Sequence, residues 1–258
     1  MKIFRTSENG HIYSSEIFDT YFGNLRIGFF DIETTGLSPD RSKLILAGIA
    51  CCEGNTVIAK QILAEDTSEE PEVITEVLKE LRGFDMVVTY NGKRFDMPFL
   101  LKRAQKNRIH ISEALPYNLD LYPAVRSFSP LKAMLPDLKQ KTVESFTGLW
   151  ETRADEISGA ESVELYYYYA GTKDEKIRDV ILLHNRDDIL QLSRLLKVLD
   201  RCDLNRYIYA NGLPAGRLII DKITAGRHYL DITGTQRTSP ANFLSYDDFC
   251  SGYKVWFK

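Results

Sequence analysis

The most constraining stretch of the sequence is 26-RIGFFDIETTGL-37, where an apolar run leads directly into Asp31 and Glu33. The run predicts a buried strand. Because side chains alternate across a strand, the two acids share one face, about 6–7 Å apart along the chain. Two such carboxylates repel each other and raise each other's pKa. Mg²⁺ or Mn²⁺ would relieve this repulsion, although acids at strand ends can also simply face water.

Residues 1–200 alternate between strand-like and helix-like patterns. Residues 1–24 show no strong periodicity and are interpreted as a segment leading into the first strand. Next come three predicted strands, joined between the second and third by turn residues Glu-Gly-Asn. The predicted strands cover 26–33, 43–52, 55–64 and 85–92, and the predicted helices cover 67–84, 97–107 and 174–200. This order predicts an α/β fold, a mixed sheet with helices on its faces.

Residues 206–258 differ in character from the rest of the chain. They are punctuated by glycine and rich in β-branched and aromatic segments such as 217-RLIIDKI-223 and 227-RHYLDIT-233. We therefore expect a small β-rich C-terminal appendage after a first domain of residues 1–200. The tyrosine run 166-YYYYA-170 is interpreted as a short helix that packs in the core, rather than as a surface for stacking bases.

A second acid lies where a strand meets a helix, in 90-YNGKRFDMPFL-100. Asp96 stands at the predicted helix start, and Asn91 and Gly92 shape the turn before it. A carboxylate at this position can be a metal ligand, or only a helix cap that the helix dipole favours.

The third group of polar residues lies on the long helix, within 184-HNRDD-188. Asp188 falls on the helix's apolar stripe, and His184 lies one turn earlier on nearly the same face. Asp187 faces a more polar side. A lone carboxylate on a core-facing stripe is costly unless a cation meets it. A lysine or arginine elsewhere, or a hydrogen-bond network, could supply the partner, but a metal shared with Asp31 and Glu33 fits better because it explains all three acids at once.

Composition and charge narrow the class of protein. The net charge of −3 disfavours a protein that coats nucleic acid indiscriminately, although it allows an enzyme that holds nucleic acid through metal ions. The cluster 102-KRAQKNR-108 fits either a solvated helix face or a phosphate-contacting lip. No apolar run approaches the ~20 residues of a membrane span, and no signal-peptide core opens the chain. With four cysteines in no metal-binding spacing, we expect a cytoplasmic protein.

The three motifs DIETTG, NGKRFD and HNRDD, in this order, resemble those of the DEDD superfamily of 3′→5′ exonucleases. Residues 26–200 look most like its YprB-like, predicted-exonuclease branch, including 119-LDLY-122 and the segment 148–169. The resemblance implies a ribonuclease H-like mixed β-sheet flanked by helices. Residues 206–258 lie outside it.

The resemblance also implies two ions, Mg²⁺ or Mn²⁺. Asp31 would bridge both, Glu33 and Asp96 would complete their shells, and Asp188 would hold the ion beside the attacking water. His184 would orient or deprotonate that water. The superfamily's base is usually a tyrosine four residues before the last aspartate or a histidine five before it. Here a histidine stands four residues before, which looks normal in the YprB-like branch.

The expected function is therefore a metal-dependent 3′→5′ exonuclease acting on single-stranded DNA or RNA. Thr34, Asn91 and Phe95 are candidate substrate contacts, with Phe99 a further stacking candidate. Asp120 is either an outer ligand of the metal site or a structural residue. The alternatives are a non-catalytic nucleic-acid-binding module on the same fold, which a complete acid set disfavours, and an endonuclease, which the negative net charge disfavours.

Overall fold

The computed structural model describes residues 1–111, 114–149, 154, 157–215 and 218–237, together with the backbone of the strands at 243–246 and 252–255. Part of the segment 148–169 singled out above therefore lies outside the described residues, as does Cys250. The other three cysteines are free thiols.

The main sheet of the described part of the chain has six strands: β1 (Lys2–Asn9), β2 (Ile27–Thr34), β3 (Leu44–Glu53), β4 (Thr56–Leu63), β5 (Met86–Thr89) and β6 (Tyr117–Asp120). Their order across the sheet is β1-β4-β3-β2-β5-β6. Neighbouring strands in the series β1-β4-β3-β2 pair antiparallel, whereas β5 pairs parallel with β2 and β6 pairs parallel with β5. The predicted meander and mixed sheet are thereby confirmed.

Helices cover both faces of this sheet: α1 (Glu16–Phe22), α2 (Glu70–Leu81), α3 (Asp96–Lys106), α4 (Leu121–Phe128), α5 (Leu131–Met134), α6 (Gln140–Phe146), α7 (Gly159–Thr172) and α8 (Glu175–Leu195). A 3₁₀ turn over Leu196–Arg201 continues α8. Side chains alternate along β2, so Phe30 packs with α2 and α3, and Phe29 packs in the core that includes Ile189 of α8.

The interpretation of residues 1–24 as a lead-in was wrong. β1 pairs with β4 along its whole length, and Phe18 and Phe22 of α1 are buried in the main core. β1 is an edge strand whose side chains are mostly exposed on both faces. It therefore lacks the apolar alternation by which a half-buried strand is recognised.

The tyrosine run lies in α7, a helix of 14 residues rather than a short one. Tyr166 and Tyr169 are buried in a core cluster, whereas Tyr167 and Tyr168 are more than half exposed. The helical period explains this division, because residues three apart share a face and their neighbours do not.

Two cations of the basic cluster on α3 pair with acids of the chain. The guanidinium of Arg103 is buried and donates from Nε and Nη2 to the two oxygens of Glu70, at 2.7 and 2.6 Å. Lys106 pairs with Asp40 at 3.0 Å. The alternative of a phosphate-contacting lip therefore does not hold for Arg103, while it stays a prediction for the exposed Lys106.

The C-terminal part begins with a helix, α9 (Leu204–Asn211), and not with strands as expected. A small antiparallel sheet follows, formed by β7 (Leu213–Ala215), β8 (Leu218–Ala225) and β9 (Leu230–Gln236). The strands β10 (Phe243–Tyr246) and β11 (Gly252–Val255) pair with each other. A β-rich appendage is thus confirmed, while the domain boundary stays a prediction. Among the described residues, no helix combines the length and apolarity that a membrane crossing requires.

Candidate metal and catalytic site

The site forms where β2 runs past the end of its neighbour β5. β5 pairs with β2 only as far as Phe29, opposite Val88. Beyond Phe29, the backbone groups on this edge of β2 need hydrogen-bond partners other than β5. The carboxyl of Asp96 is one of them, because it accepts a hydrogen bond from the backbone N–H of Ile32 at 3.1 Å. α3 begins at Asp96, so the start of that helix is tied to the acid-bearing end of β2.

Helix α8 lies close to the sheet beside Asp31 because the neighbouring strand β3 carries a glycine at this point. Gly48 pairs with Asp31 across the two strands. A Cβ atom at Gly48 would lie 2.4 Å from Oδ1 of Asn185 on α8, which is far inside van der Waals contact. Only glycine leaves room for the Asn185 amide above the sheet at this point.

A chain of amides orients Asn185 toward Asp31. Gln61 of β4 donates from Nε2 to the backbone carbonyl of Leu182, at 2.8 Å, and to Oδ1 of Asn185, at 3.0 Å. A carbonyl can only accept, so the orientation of Gln61 is fixed. Oδ1 of Asn185 then faces Gln61, and its Nδ2 donates to Oδ2 of Asp31 at 3.3 Å. Asn185, Gln61 and Gly48 are site residues that the sequence reasoning missed.

His184 lies between two of the predicted acids. Its Nε2 is 3.6 Å from Oε1 of Glu33 and 3.7 Å from Oδ2 of Asp188. The three residues offer metal-ligating atoms that lie within 4.8 Å of one another. Glu33 and His184 are buried, and Asp188 is partly exposed. This group combines two carboxylates and one imidazole, a donor set suited to a divalent cation.

The electrostatics at Asp31 are unfavourable in the absence of a cation. Burial raises the pKa of its carboxyl well above the usual range, and three neighbouring carboxylates raise it further, while the amide of Asn185 acts in the opposite direction. The three carboxylates, in decreasing order of effect, are those of Asp96, Asp188 and Glu33. The four predicted acids, drawn from 158 positions of sequence, therefore meet around Asp31.

Asp96 is affected in the same way. Burial raises its pKa to about 7, backbone hydrogen bonds including that of Ile32 lower it, and the charges of Asp120 and Asp188 raise it. Carboxyl groups whose pKa values are raised by burial and by one another's charge fit a site for divalent cations, since a bound cation favours their ionised forms. The donor set therefore fits the Mg²⁺ or Mn²⁺ that the sequence resemblance implies.

Asp120 is structural. Its carboxylate accepts backbone N–H groups of Asn91, Lys93 and Tyr122, at 2.7, 3.0 and 3.0 Å, and so it caps α4. The first two bonds fix the loop that leads to Asp96. Asn91 adopts a positive φ of 66° in this loop, a conformation that asparagine tolerates better than most residues.

The candidate substrate contacts differ in how accessible they are. Thr34 is 8% exposed and its hydroxyl donates to the carbonyl of Gly36. Phe95 is half-buried and packs at 5.6 Å, ring centroid to centroid, against Phe99. Phe99 is 1% exposed, so the expectation that it stacks on a base was wrong. Leu37, on the loop after β2, is 84% exposed.

Asp187 and Asp188 diverge as the helical positions predict. Asp188 acts on Asp31 and Asp96 and lies near His184. Asp187 is the more buried of the two, and its Oδ2 accepts the backbone N–H of Ala154 at 2.5 Å. Its burial was not expected from the polar side of the helix.

Comparison with known proteins places this geometry in a family. Residues 28–200 match the family model of the RNase H superfamily. The YprB protein of Bacillus subtilis is 29% identical over 169 residues, which cover 65% of this chain and 40% of YprB. A DNA polymerase of Pyrococcus glycovorans is 38% identical over 91 residues, covering 32% of this chain and 12% of the polymerase.

The solved structure of the family B DNA polymerase from Pyrobaculum calidifontis covers 68% of this chain with a TM-score of 0.53. At 21% identity it shows a shared fold, over 24% of the polymerase chain. The chain thus spans less than half the length of these relatives. The predicted ribonuclease H-like fold and the likeness to YprB are confirmed, and the chain belongs to the RNase H superfamily.

Proposed function

We propose that this chain is a divalent-metal-dependent 3′→5′ exonuclease, which hydrolyses phosphodiester bonds at the 3′ end of single-stranded DNA or RNA. The observation that carries the proposal is the meeting of Glu33, Asp96 and Asp188 around the half-buried Asp31. Burying mutually repelling carboxylates costs stability unless a cation compensates them. A site for cations explains why the fold gathers them.

The four acids are proposed to hold two ions, Mg²⁺ or Mn²⁺. Asp31 lies among the other three acids and is the proposed bridge. Glu33 approaches from β2, Asp96 from the first residue of α3, and Asp188 from α8. When bound, the ions supply positive charge that stabilises the attacking and leaving oxygens of an in-line displacement.

His184 is the proposed general base. Its Nε2 lies 3.7 Å from the carboxylate of Asp188, so a water held beside Asp188 comes within reach of the imidazole. Histidine is suited to this task because its ordinary pKa lies close to neutrality. Glu33, at 3.6 Å, would stabilise the imidazolium that forms after proton transfer.

Action on a 3′ end is supported by the resemblance of the three motifs to the DEDD exonucleases. Nucleic acid as the substrate is supported by the DNA polymerases among the relatives. Leu37 offers an exposed apolar contact for a terminal base on the loop next to the acids, and Phe95 and Asn91 lie in the loop on the other side. The net charge of −3 favours a substrate held at its end over a long duplex gripped by basic surface.

The test uses 5′-labelled single-stranded DNA and RNA with Mn²⁺, comparing the natural chain with Asp31→Asn. The matched control is Asp179→Asn, which changes an exposed aspartate of α8 paired with Arg178. We expect a ladder shortening from the 3′ end for the natural chain and the control, and none for Asp31→Asn. Internal cuts would indicate an endonuclease. Binding without cleavage, unchanged by Asp31→Asn, would indicate a non-catalytic binding module.

A further inference from the structure

Helix α9 lies outside the part of the chain that matches the family, yet it contacts the loop that carries Asp96. The family match ends at residue 200, and α9 begins at Leu204. Tyr207 of α9 is completely buried in the main core. Gly212 follows the last residue of this helix, and its carbonyl accepts a hydrogen bond from the hydroxyl of Tyr117 in β6 at 2.8 Å. α9 is therefore packed against the end of the sheet where β6 meets the Asp96 loop.

The first link to the loop runs through Tyr207 and Asp120. The hydroxyl of Tyr207 accepts the backbone N–H of Asp120 at 3.1 Å. The carboxylate of Asp120 in turn accepts the backbone N–H groups of Asn91 and Lys93. Because all of these partners are at least half-buried, the position of Tyr207 is transmitted to the loop backbone by hydrogen bonds that water does not replace.

The second link runs through the side chain of Lys93. Its Nζ lies 5.4 Å from the ring centroid of Tyr117 and 5.6 Å from that of Tyr207, both within the range of cation–π attraction. Oδ1 of Asn211, at the end of α9, lies 3.5 Å from the same ammonium. Burial lowers the pKa of Lys93, and the carboxylates of Asp120 and Asp221 act in the opposite direction. Two of the groups around this cation therefore belong to α9.

The loop has little freedom to absorb a shift at Lys93. The carbonyl of Asn91 accepts the N–H groups of Arg94 and Phe95, and the carbonyl of Gly92 accepts that of Met97, all at 3.0–3.1 Å. A Cβ atom at Gly92 would lie 2.4 Å from the hydroxyl of Thr89, so the loop packs tightly on β5. Asp96 follows directly at the start of α3. A displacement of Lys93 therefore moves Asp96 relative to β2.

We propose that α9 positions Asp96 for metal binding, with Tyr207 and Lys93 as positioning residues. This inference rests on the proposed function in so far as Asp96 is taken as a metal ligand. Helix α9, the first helix after the part of the chain that matches the family, would hold one proposed metal ligand in position. In this role α9 acts through the loop before Asp96 and not through contact with substrate or ions.

The test measures hydrogen–deuterium exchange of the backbone amides at 91–95 in Tyr207→Phe. The matched control is Tyr209→Phe, which removes the same hydroxyl from a residue of α9 that is 81% exposed. We expect exchange at 91–95 to accelerate about tenfold in Tyr207→Phe, the effect of losing one buried hydrogen bond, with no change at Phe29 and Phe30 of β2. Unchanged exchange at 91–95, or equal acceleration in the control, overturns the proposal.

Lys93→Met provides a second variant, because methionine keeps the length of the side chain without its charge. Its control is Lys132→Met, at an exposed position of α5. We expect the same acceleration at 91–95, together with weaker binding of Mn²⁺ alone by calorimetry. Exchange and Mn²⁺ affinity that both match the control overturn the proposal.

Kinetics separate positioning from substrate binding. We expect kcat to fall about tenfold in Tyr207→Phe with KM unchanged, since the hydroxyl acts only through Asp96. A raised KM with unchanged kcat would instead make α9 part of the substrate site and overturn the positioning role. A natural chain that degrades no nucleic acid contradicts the proposed function, whereas the exchange experiment still decides whether α9 holds the loop.

Discussion

Two groups of buried carboxylates in this protein have opposite electrostatics. Glu70, at the start of α2, is fully buried and accepts two hydrogen bonds from Arg103, one from Asn107 and one from the backbone of Leu44. Burial raises the pKa of Glu70, but these hydrogen bonds more than offset it, and the pKa lies below its ordinary value. At Asp31, burial and the neighbouring carboxylates act together, and the pKa is raised.

The difference separates a carboxylate that stabilises the fold from a carboxylate that is a candidate ligand for a cation. Arg103 supplies the positive charge that Glu70 requires, so that pair needs nothing from outside the chain. At Asp31 the charges that act most strongly are those of other acids, and under the proposed function bound cations would compensate them. By the same contrast, Arg103 on α3 has a structural role, whereas the acids around Asp31 form the candidate site.

The largest expected effect comes from removing the charge of Asp31. In Asp31→Asn we expect nuclease activity to fall on the order of 10³-fold, about 4 kcal/mol of transition-state stabilisation. Without metal, the melting temperature should stay the same or rise, because one repelling charge is gone. Activity assays and thermal unfolding in EDTA measure the two effects. A large loss of stability in EDTA would mean that Asp31, like Glu70, is held by the chain itself.

The opposite pattern is expected at Arg103. Arg103→Met leaves the carboxylate of Glu70 buried without its main partner and should lower the free energy of unfolding by about 3–5 kcal/mol. The activity of the fraction that remains folded should be nearly unchanged. Urea unfolding followed by circular dichroism, with Lys102→Met, at a half-buried position of the same helix, as the control, checks this. Equal stability of the two variants would contradict the claim that Arg103 compensates the buried charge of Glu70.

Asp187 and Asp188 allow the same comparison between adjacent residues. We expect Asp188→Asn to lower activity about 10²-fold or more with little effect on stability, since its carboxylate lies among the other acids. Asp187→Ala should lower the free energy of unfolding by about 1–3 kcal/mol and largely keep activity, because it removes the acceptor of the backbone N–H of Ala154. Activity and urea unfolding of both variants measure this. The reverse assignment would place Asp187 in the metal site.

The smallest effect is expected from pH. The folded-state pKa of Glu70 lies below its unfolded value of 4.5, so ionised Glu70 stabilises the fold above pH 4.5. This contribution is lost as the pH falls through the folded-state pKa. The stability difference between the natural chain and Glu70→Gln should therefore shrink by about 1 kcal/mol or more below pH 4.5, as measured by urea unfolding across pH. A difference independent of pH would show that the charge of Glu70 contributes nothing.

Much of the site could be predicted because each acid lies in a regular local pattern. Strand alternation places Asp31 and Glu33 on one face, and helical spacing places His184 and Asp188 one turn apart. Gly48, Gln61 and Asn185 could not be found this way. Their roles depend on the packing of α8 across β3 and β4, which no periodicity within one segment encodes.

The errors of sequence interpretation arose where a role was inferred from the type of residue, since the burial of its side chain is not visible in the sequence. Arg103 and Phe99 are of kinds that bind phosphates and bases, but both point into the interior. β1 failed to stand out for the opposite reason, since an edge strand with exposed side chains carries no apolar period. In each case a tertiary contact decided the role: Glu70 for Arg103, the α2–α3 core for Phe99, and pairing with β4 for β1.

Crystals soaked in Mn²⁺ and measured for anomalous scattering test the central claim most directly. The account predicts anomalous peaks within coordination distance of Asp31, with Glu33, Asp96 and Asp188 as further ligands. Crystals of Asp31→Asn should lose these peaks. Manganese that binds elsewhere, with the four acids held by hydrogen bonds among themselves, would contradict it.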